Sequence, residues 1–320
     1  MPTPAKKIAK RTPSAKNKRQ QQTSANLVRY GSERPAQIDI AVYCFPYAGG
    51  SSSAFAEWAR ACPAWMSVVA VELPGRGSAA GDTLPASHTD DAALVSELAR
   101  QIREDFQASS ATSIAMVGLS MGVLMAIETQ QLLADFPIVH SFFAGRAPVR
   151  DSSHASVLDQ ASVDSLNLAP AEVRESEAWE NYFLPMLTAD LASDSRAAKR
   201  LSAADTPARI RGDMDVFCGL SDPSFAPQSA DQWREFVSAD AHFDRHYFFG
   251  GHEFLKTSAE QIFGRIQASL SVKITESIRP LGGSLARQSF GKGSRDHSDM
   301  ISSVAWERVP FPYTIYAAYA

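Results

Sequence analysis

The sequence has few cysteines, no long apolar run and none of the short motifs that mark a bound metal or nucleotide. Its three cysteines, Cys44, Cys62 and Cys218, are widely spaced and form no CxxC pair, which excludes a disulfide scaffold and favours a reducing, cytoplasmic compartment. No apolar run approaches the roughly 18 residues of a membrane span. HExxH, GxGxxG and GxxxxGKS/T patterns are absent, so we expect no membrane segment, no metal and no cofactor.

Acidic residues are missing from the first 30 positions, where eight basic residues lie. Because the whole chain has a net charge of −4, the remainder carries −12 once those eight charges are set aside. Such an acidic body is a poor match for nucleic acid. Residues 1–25 are predicted to form a disordered basic arm, and the lack of an apolar stretch argues against export. Contact of the arm with an acidic partner or nucleic acid, or a transit-like role, stays open.

Beyond the arm, short β-branched and aromatic runs alternate with segments of helical periodicity. This alternation is typical of βαβ units and predicts an α/β fold with a mainly parallel central sheet flanked by helices. Between the second and third strands, apolar residues recur at helical spacing: Leu94, Val95, Leu98, Ile102 and Phe106. The predicted strands are 38–45, 67–73, 113–118, 139–145, 214–219 and 243–250.

Two stretches interrupt this alternation. Residues 151–206 are helical in composition and contain no convincing strand, so we interpret them as a helical lid inserted at the functional end of the sheet. An apolar cluster in the lid either lines a substrate channel or packs onto the core; it includes Tyr182, Phe183, Met186 and Leu187. Glycine-rich turns and an aromatic end set residues 273–320 apart as an extension of unknown role, which leaves 26–272 as the main domain.

Gly-Leu-Ser-Met-Gly at 118–122 follows an apolar strand and precedes a run compatible with a helix. This is the context of a nucleophile elbow, in which two glycines let strand and helix approach closely while the serine hydroxyl projects from a sharp turn. The short pattern alone is weak. With a strand before it and a helix after it, it predicts Ser120 as a catalytic nucleophile and the α/β-hydrolase fold as the architecture.

A serine hydroxyl needs a base that takes its proton at neutral pH. Among the seven histidines, His252 lies in a Gly-Gly turn just past the last predicted strand, where catalytic groups of open parallel sheets are found. The others lie at the wrong end of an element, beside or within that strand, in the lid or in the C-terminal extension. His252 is therefore the predicted general base, and capping of the next helix is the alternative role.

An acidic residue should orient that histidine from the loop after the preceding strand. Asp222 follows the strand 214–219, whereas Asp213 and Asp215 lie at its start and are predicted to point toward the opposite edge. We therefore predict Asp222 as the third member of a catalytic triad. An ordinary Asp-Pro turn is the alternative.

The tetrahedral intermediate of such a reaction needs N–H donors that are already in position. The amide after the nucleophile, that of Met121, is the first predicted donor. A loop of small residues follows the first strand and is predicted to supply the second donor, through Tyr47 or Ala48. The alternative is a generic glycine-rich turn.

Six stretches match, in order and approximate spacing, the motifs of one family. They are Cys-Phe-Pro-Tyr-Ala-Gly-Gly at 44–50, Leu-Pro-Gly-Arg-Gly at 73–77, Gly-Leu-Ser-Met-Gly at 118–122, Ala-Gly-Arg-Ala-Pro at 144–148, Leu-Pro-Met-Leu-Thr-Ala-Asp at 184–190 and Phe-Gly-Gly-His-Glu-Phe at 249–254. Over about residues 38–270 the chain resembles the type II thioesterases of nonribosomal peptide and polyketide synthases, relatives of the medium-chain fatty acid synthase thioesterase. Carried over by position, the triad of this family falls on Ser120, Asp222 and His252.

The resemblance implies a serine thioesterase that hydrolyses acyl thioesters held on the phosphopantetheine arm of acyl or peptidyl carrier domains, with no cofactor of its own. Neither nucleic acid nor a membrane is an expected partner. Two alternatives stay open: an acyltransferase or cyclase that uses the same acyl-enzyme, and a non-catalytic protein that binds carriers. The family usually has histidine in place of Leu119 and arginine in place of Thr188; we expect Leu119 to face the packed side of the elbow and Thr188 to alter recognition at the lid.

Overall fold

A seven-stranded sheet forms the centre of the molecule in the computed structural model, which describes residues 25–30, 38–149, 174–204 and 208–278. The strand order is β1-β3-β2-β4-β5-β6-β7, and all neighbours are parallel except β1 and β3. The predicted α/β fold with a mainly parallel sheet is confirmed. The strands are β1 (Asn26–Val28), β2 (Ile40–Phe45), β3 (Met66–Glu72), β4 (Ser113–Leu119), β5 (Ile138–Ala144), β6 (Asp213–Gly219) and β7 (Phe243–Phe248).

The inner strands are apolar because both faces of the sheet are covered. Every residue of β2 and β3 is buried, and β4 is buried except for Ser113 at its start. Parallel strands between two helical layers have this continuous apolar character rather than a period of two. The six predicted strands therefore match β2 to β7 to within two residues at each end, whereas the sequence analysis missed β1, a half-buried edge strand of three residues.

Helices cover both faces of the sheet. The helices are α1 (Ala56–Arg60), α2 (His88–Gln107), α3 (Met121–Leu132), α4 (Leu184–Ser202), α5 (Phe254–Thr257) and α6 (Ala259–Ile278). One apolar core joins the sheet to α2, α3 and α4, and a second core joins its other face to α1 and α6. The predicted α2 buries Leu94, Leu98 and Ile102 in the first core and begins with a reciprocal capping box between Ser87 and Asp90.

Helix α4 is the described part of the predicted lid, and ion pairs fasten it to the body of the protein. A π-helical turn, Trp179–Phe183, leads into it, and no strand occurs in 174–204. Asp194 pairs with Arg146 in the loop after β5 at 2.7 Å. Asp91 of α2 accepts a hydrogen bond from Ser193 at 2.8 Å and pairs with Arg196. Residues 150–173 and 205–207 of this region lie outside the described residues.

The ends of the predicted domain fall partly outside the described residues. Helix α6 continues to Ile278, beyond residue 272, where the sequence predicts the main domain to end. The basic arm, up to residue 24, and residues 279–320 lie outside the described part, so their roles stay predictions. Across the described ranges, none of the helices is both long and apolar enough to cross a membrane.

A buried carboxylate lies at the amino end of β6, on the edge opposite the predicted site. Asp215 accepts a hydrogen bond from the Ser269 hydroxyl at 2.6 Å, and the Nε2 atoms of His140 and His246 lie 3.4 and 3.3 Å from its oxygens. Burial acts to raise the pKa of Asp215, but the interactions with His140 and His246 and the Ser269 bond more than offset this and hold it well below its ordinary value. The folded state therefore favours the charged carboxylate.

We predict that this carboxylate makes stability depend on pH in the acid range. Its contribution is present above its unfolded pKa of about 3.9 and is lost as the pH falls through the lower folded value. Asp215→Asn should lower the free energy of unfolding near neutral pH by about 3 kcal/mol, because it removes the buried carboxylate that Ser269, His140 and His246 contact. The difference from the wild type should shrink when urea unfolding is repeated at about pH 3.

The exposed Asp231–Arg245 ion pair supplies the control. Asp231→Asn should change the free energy of unfolding by less than about 1 kcal/mol at either pH, because exposed pairs contribute little. If Asp215→Asn lowered the free energy of unfolding equally at both pH values, the charged Asp215 carboxylate would not be the source of the pH dependence.

Candidate active site

Three predicted residues meet at the carboxyl edge of the sheet. Ser120 lies between β4 and α3, Asp222 follows β6, and His252 follows β7. The Ser120 Oγ lies 3.0 Å from His252 Nε2, and His252 Nδ1 lies 2.8 Å from Asp222 Oδ2. Asp222 and His252 are buried, whereas Ser120 is half-buried. The arrangement is a nucleophile in contact with a base that is itself held by a carboxylate.

The backbone at Ser120 adopts a conformation that is rare for a residue with a side chain. Its φ is 51° and its ψ is −115°, and it is the one non-glycine residue with positive φ in the described ranges. Its neighbours must be glycine, because a Cβ at Gly118 would lie 2.5 Å from the Val123 Cα and one at Gly122 would lie 2.2 Å from the Phe45 carbonyl oxygen. The predicted elbow is thus present, with strand, turn and helix packed backbone to backbone.

Two neighbouring loops bring Asp222 to His252. The Ser221 N–H donates to the Gly250 carbonyl at 2.9 Å, which joins the loop after β6 to the loop after β7. A Cβ at Gly219 would lie 2.6 Å from the Gly251 carbonyl oxygen, so a side chain there would force the loops apart. The Gly-Gly turn noted in the sequence therefore serves the close approach of β6 and β7 as well as the placement of His252.

Ser224 is a further polar residue that contacts the predicted triad, and the sequence analysis missed it. Its hydroxyl donates to Asp222 Oδ1 at 2.6 Å and lies 3.0 Å from His252 Nδ1, and its N–H donates to the same Oδ1 at 2.8 Å. Burial acts to raise the pKa of Asp222, but the bonds from His252 and Ser224 outweigh it and lower the pKa. Asp222 is thus ionised near neutral pH. The Asp-x-Ser spacing, typical of an Asx turn, was the available signal.

The predicted oxyanion donors lie on either side of the elbow. Met121 is the first residue of α3, so its N–H has no acceptor within the helix and points outward at the positive end of the helix dipole. Tyr47 and Ala48 form the turn after β2, which the Gly50 N–H closes by donating to the Tyr47 carbonyl at 2.8 Å. The contact of Gly122 with the end of β2 brings this turn to the start of α3. The donor roles of these residues stay predictions.

The predicted lid residues divide into two pairs. Met186 and Leu187 of α4 are buried, and the Leu187 Cδ1 lies 3.4 Å from the position of a Cβ on Gly49, beside Tyr47 and Ala48. Tyr182 and Phe183 are 42% and 37% exposed and contact one another edge to face. Leu187 therefore lies against the turn after β2, whereas the exposed pair lies in the turn that precedes α4. Their role in lining an acyl channel stays a prediction.

Of the two residues that depart from the family pattern, the apolar Leu119 is buried and the polar Thr188 is exposed. Leu119 is 2% exposed and belongs to the core on the α1 and α6 face, as expected for the packed side of the elbow. Thr188 is exposed on α4, next to the buried Leu187. The histidine-to-leucine change is thus accommodated by packing, and the change at 188 concerns a surface position.

The hydroxyl of Ser224 should speed reaction at Ser120 by holding Asp222 and His252 in place. Ser224→Ala is expected to slow labelling of Ser120 by a fluorophosphonate about tenfold, the equivalent of one hydrogen bond, and Asp222→Asn by about a thousandfold or more. Ser224→Thr retains the hydroxyl at an exposed position, so its labelling rate should stay near that of the wild type. Equal rates for Ser224→Ala and Ser224→Thr would contradict a positioning role.

Comparisons with known proteins give the family. Residues 41–270 match the family model of the thioesterase domain. The gramicidin S biosynthesis protein GrsT of Aneurinibacillus migulanus is 27% identical over 230 residues, which cover 68% of this chain and 84% of the relative. The linear gramicidin dehydrogenase LgrE of Brevibacillus parabrevis is 26% identical over 254 residues, covering 73% of this chain and 89% of the relative.

A solved structure agrees with these relatives. YbtT, a type II thioesterase from the yersiniabactin NRPS/PKS biosynthetic pathway, is similar with a TM-score of 0.56 at 25% sequence identity, over 75% of this chain and 96% of that one. The family match spans more than half of the 320 residues and includes every member of the predicted triad. The chain therefore belongs to the thioesterase domain family, whose reaction is the hydrolysis of thioesters.

Proposed function

We propose that this thioesterase is a serine hydrolase in which Ser120 is the nucleophile, His252 the general base and Asp222 the group that orients the base. The observation that carries the proposal is the chain of contacts from the Ser120 hydroxyl to the His252 imidazole at 3.0 Å and on to the Asp222 carboxylate at 2.8 Å. These contacts start from the strained backbone at Ser120, where the close approach of strand and helix requires glycine at 118 and 122.

The reaction follows in two halves. The Ser120 Oγ attacks the thioester carbonyl while His252 Nε2 takes the hydroxyl proton, and the oxyanion is bound by the Met121 N–H and by Tyr47 or Ala48. Collapse of this intermediate breaks the C–S bond, and His252 returns the proton to the leaving thiolate. Water, with His252 again as base, then attacks the acyl-enzyme and releases the free acid and Ser120. Asp222 stays ionised throughout and stabilises the imidazolium.

The proposed substrates are acyl or peptidyl thioesters on the phosphopantetheine arm of carrier domains, so that the enzyme clears stalled or misprimed carriers. Two observations support this: GrsT is a gramicidin S biosynthesis protein, and YbtT is a type II thioesterase of an NRPS/PKS pathway. The phosphopantetheine belongs to the partner, and the enzyme needs no cofactor of its own for the two half-reactions. Transfer of the acyl group to an amine or hydroxyl uses the same intermediate and is separated from hydrolysis by the experiment below.

Hydrolysis of a carrier thioester should depend on Ser120. A panel of acyl-carrier thioesters, acyl-pantetheine thioesters and matched oxygen esters is expected to show release of free acid, with a preference for carrier-bound thioesters. Ser120→Ala should lower turnover by about 10³-fold or more, because only binding and oxyanion contacts remain. Acyl-enzyme that accumulates without release of acid would instead indicate a transferase or cyclase, and turnover that is unaffected by Ser120→Ala would refute the proposed mechanism.

The basic arm is proposed to attract the carrier partner. Seven positive charges and no negative ones lie within residues 1–25, and carrier domains are expected to be acidic. Long-range attraction of this kind raises association rates and is screened by salt, with a Debye length of about 10 Å at 0.1 M. Removal of residues 1–25 should therefore raise KM for carrier-bound thioesters and weaken its salt dependence. KM for acyl-pantetheine, which has no carrier, is the control; an equal change for both substrates would refute the role.

A further inference from the structure

One carboxylate of helix α4 holds the turn that contains Tyr47 and Ala48. Asp190 accepts the Gly49 N–H at 2.8 Å through Oδ2. The same carboxylate receives two bonds from the Arg76 guanidinium, each of 2.7 Å, one on each oxygen. Arg76 also donates to the Gly50 carbonyl at 2.8 Å. The ion pair therefore contacts the turn through one N–H and one carbonyl group.

These contacts fix the orientation of a tight turn. Gly49 has a φ of +73°, the left-handed value that the third residue of a type II turn requires, and the Gly50 N–H closes the turn on Tyr47. The peptide plane between Ala48 and Gly49 is set by the bond from the Gly49 N–H to Asp190. Because the planes of Tyr47 and Ala48 directly precede it, a rotation at Gly49 would turn the predicted oxyanion donor away from Ser120.

The ion pair of Arg76 and Asp190 is almost completely buried. Arg76 is 2% exposed and Asp190 is 3% exposed. Burying two charges costs desolvation energy, and apolar side chains of similar size in the same place often give equal or greater stability. What an ion pair adds is direction, since a bidentate guanidinium and carboxylate fix each other's plane. Here the fixed ion pair bonds to the backbone of the turn. The Arg76 Nε also donates to the carbonyl of Pro74 at 3.3 Å.

We propose that Arg76 and Asp190 are positioning residues for the oxyanion hole, so that helix α4, besides covering the site, holds one of its two backbone donors in place. This inference rests on the proposed function, because it assigns the turn 47–50 to the oxyanion hole of Ser120. Movement of α4 away from the sheet would separate Asp190 from Gly49 and weaken stabilisation of the intermediate. The position of the lid helix is thereby coupled to the chemical step.

The test is the isosteric change Asp190→Asn. Three N–H groups converge on the carboxylate, and a carboxamide must direct its own NH2 group at one or more of them, whichever way it is turned. For the preferred thioester, kcat should fall about 10- to 100-fold, somewhat less than the loss of an oxyanion donor itself, while KM changes less than about twofold. Arg76→Lys keeps the charge but loses the fork, and should give a decrease in the same direction.

The matched control is Asp194→Asn on the same helix. Asp194 lies one turn from Asp190, is similarly buried and also pairs with an arginine, Arg146. Within the described residues its hydrogen bonds go to Arg146 and not to 47–50. Its kcat should stay within about threefold of the wild type, because the bond from Gly49 to Asp190 is retained and the bonds of Asp91 to Ser193 and Arg196 still hold α4 in place. An equal loss of kcat for Asp190→Asn and Asp194→Asn, or a loss confined to KM, would overturn the proposal.

Hydrogen exchange tests the same contact without turnover or variants. In the wild type, the Gly49 amide should exchange at least about 100-fold more slowly than an unprotected amide, because it is bonded to a buried carboxylate. Rapid exchange at Gly49 would overturn the proposal even if every variant failed to fold. Failure of the proposed function gives a different result, namely no fluorophosphonate labelling of Ser120 in wild-type protein whose Gly49 amide is protected.

Discussion

The backbone of Ser120 is held at a φ of 51° by its surroundings, and the rest of the site is arranged around this strained turn. Such a conformation costs about 1–3 kcal/mol and persists only where neighbouring structure determines it. Here the Ser120 N–H donates to the Ala144 carbonyl of β5 at 2.8 Å, and Gly118 and Gly122 allow β4, α3 and the end of β2 to touch. One turn thus exposes the hydroxyl, presents the first amide of α3 and draws the turn after β2 beside it.

Each remaining part of the site is held by a contact between two segments that are distant in the sequence. The loops after β6 and β7 are joined by the bond from Ser221 to Gly250, and Ser224 completes the link between Asp222 and His252. The turn after β2 is joined to α4 through Asp190. Because parallel strands end at one edge of the sheet, these loops lie close together. Polar contacts between them then fix the positions of the side chains of the site. The Asp215 cluster lies at the opposite edge and concerns stability rather than chemistry.

The sequence predicted the parts of the site that follow strands and missed those that depend on contacts across the chain. Ser120, Asp222 and His252 each follow a recognisable apolar run, and parallel strands bring such ends together. Arg76 and Asp190 are 114 positions apart, and no local pattern indicates that a lid helix returns to the turn after β2. Apolar character alone also failed to separate the buried Met186 and Leu187 from Tyr182 and Phe183, which are 42% and 37% exposed, because burial there depends on how α4 meets the sheet.

The central claim is that Ser120 carries the acyl group between the two half-reactions. A rapid-quench single turnover with an acyl-carrier thioester, followed by mass spectrometry of the intact protein and of its peptides, tests it most directly. The account predicts a transient mass increase equal to the acyl group, located at Ser120, which disappears as free acid forms and which His252→Ala prevents. Consumption of the thioester without any adduct at Ser120 would contradict the account.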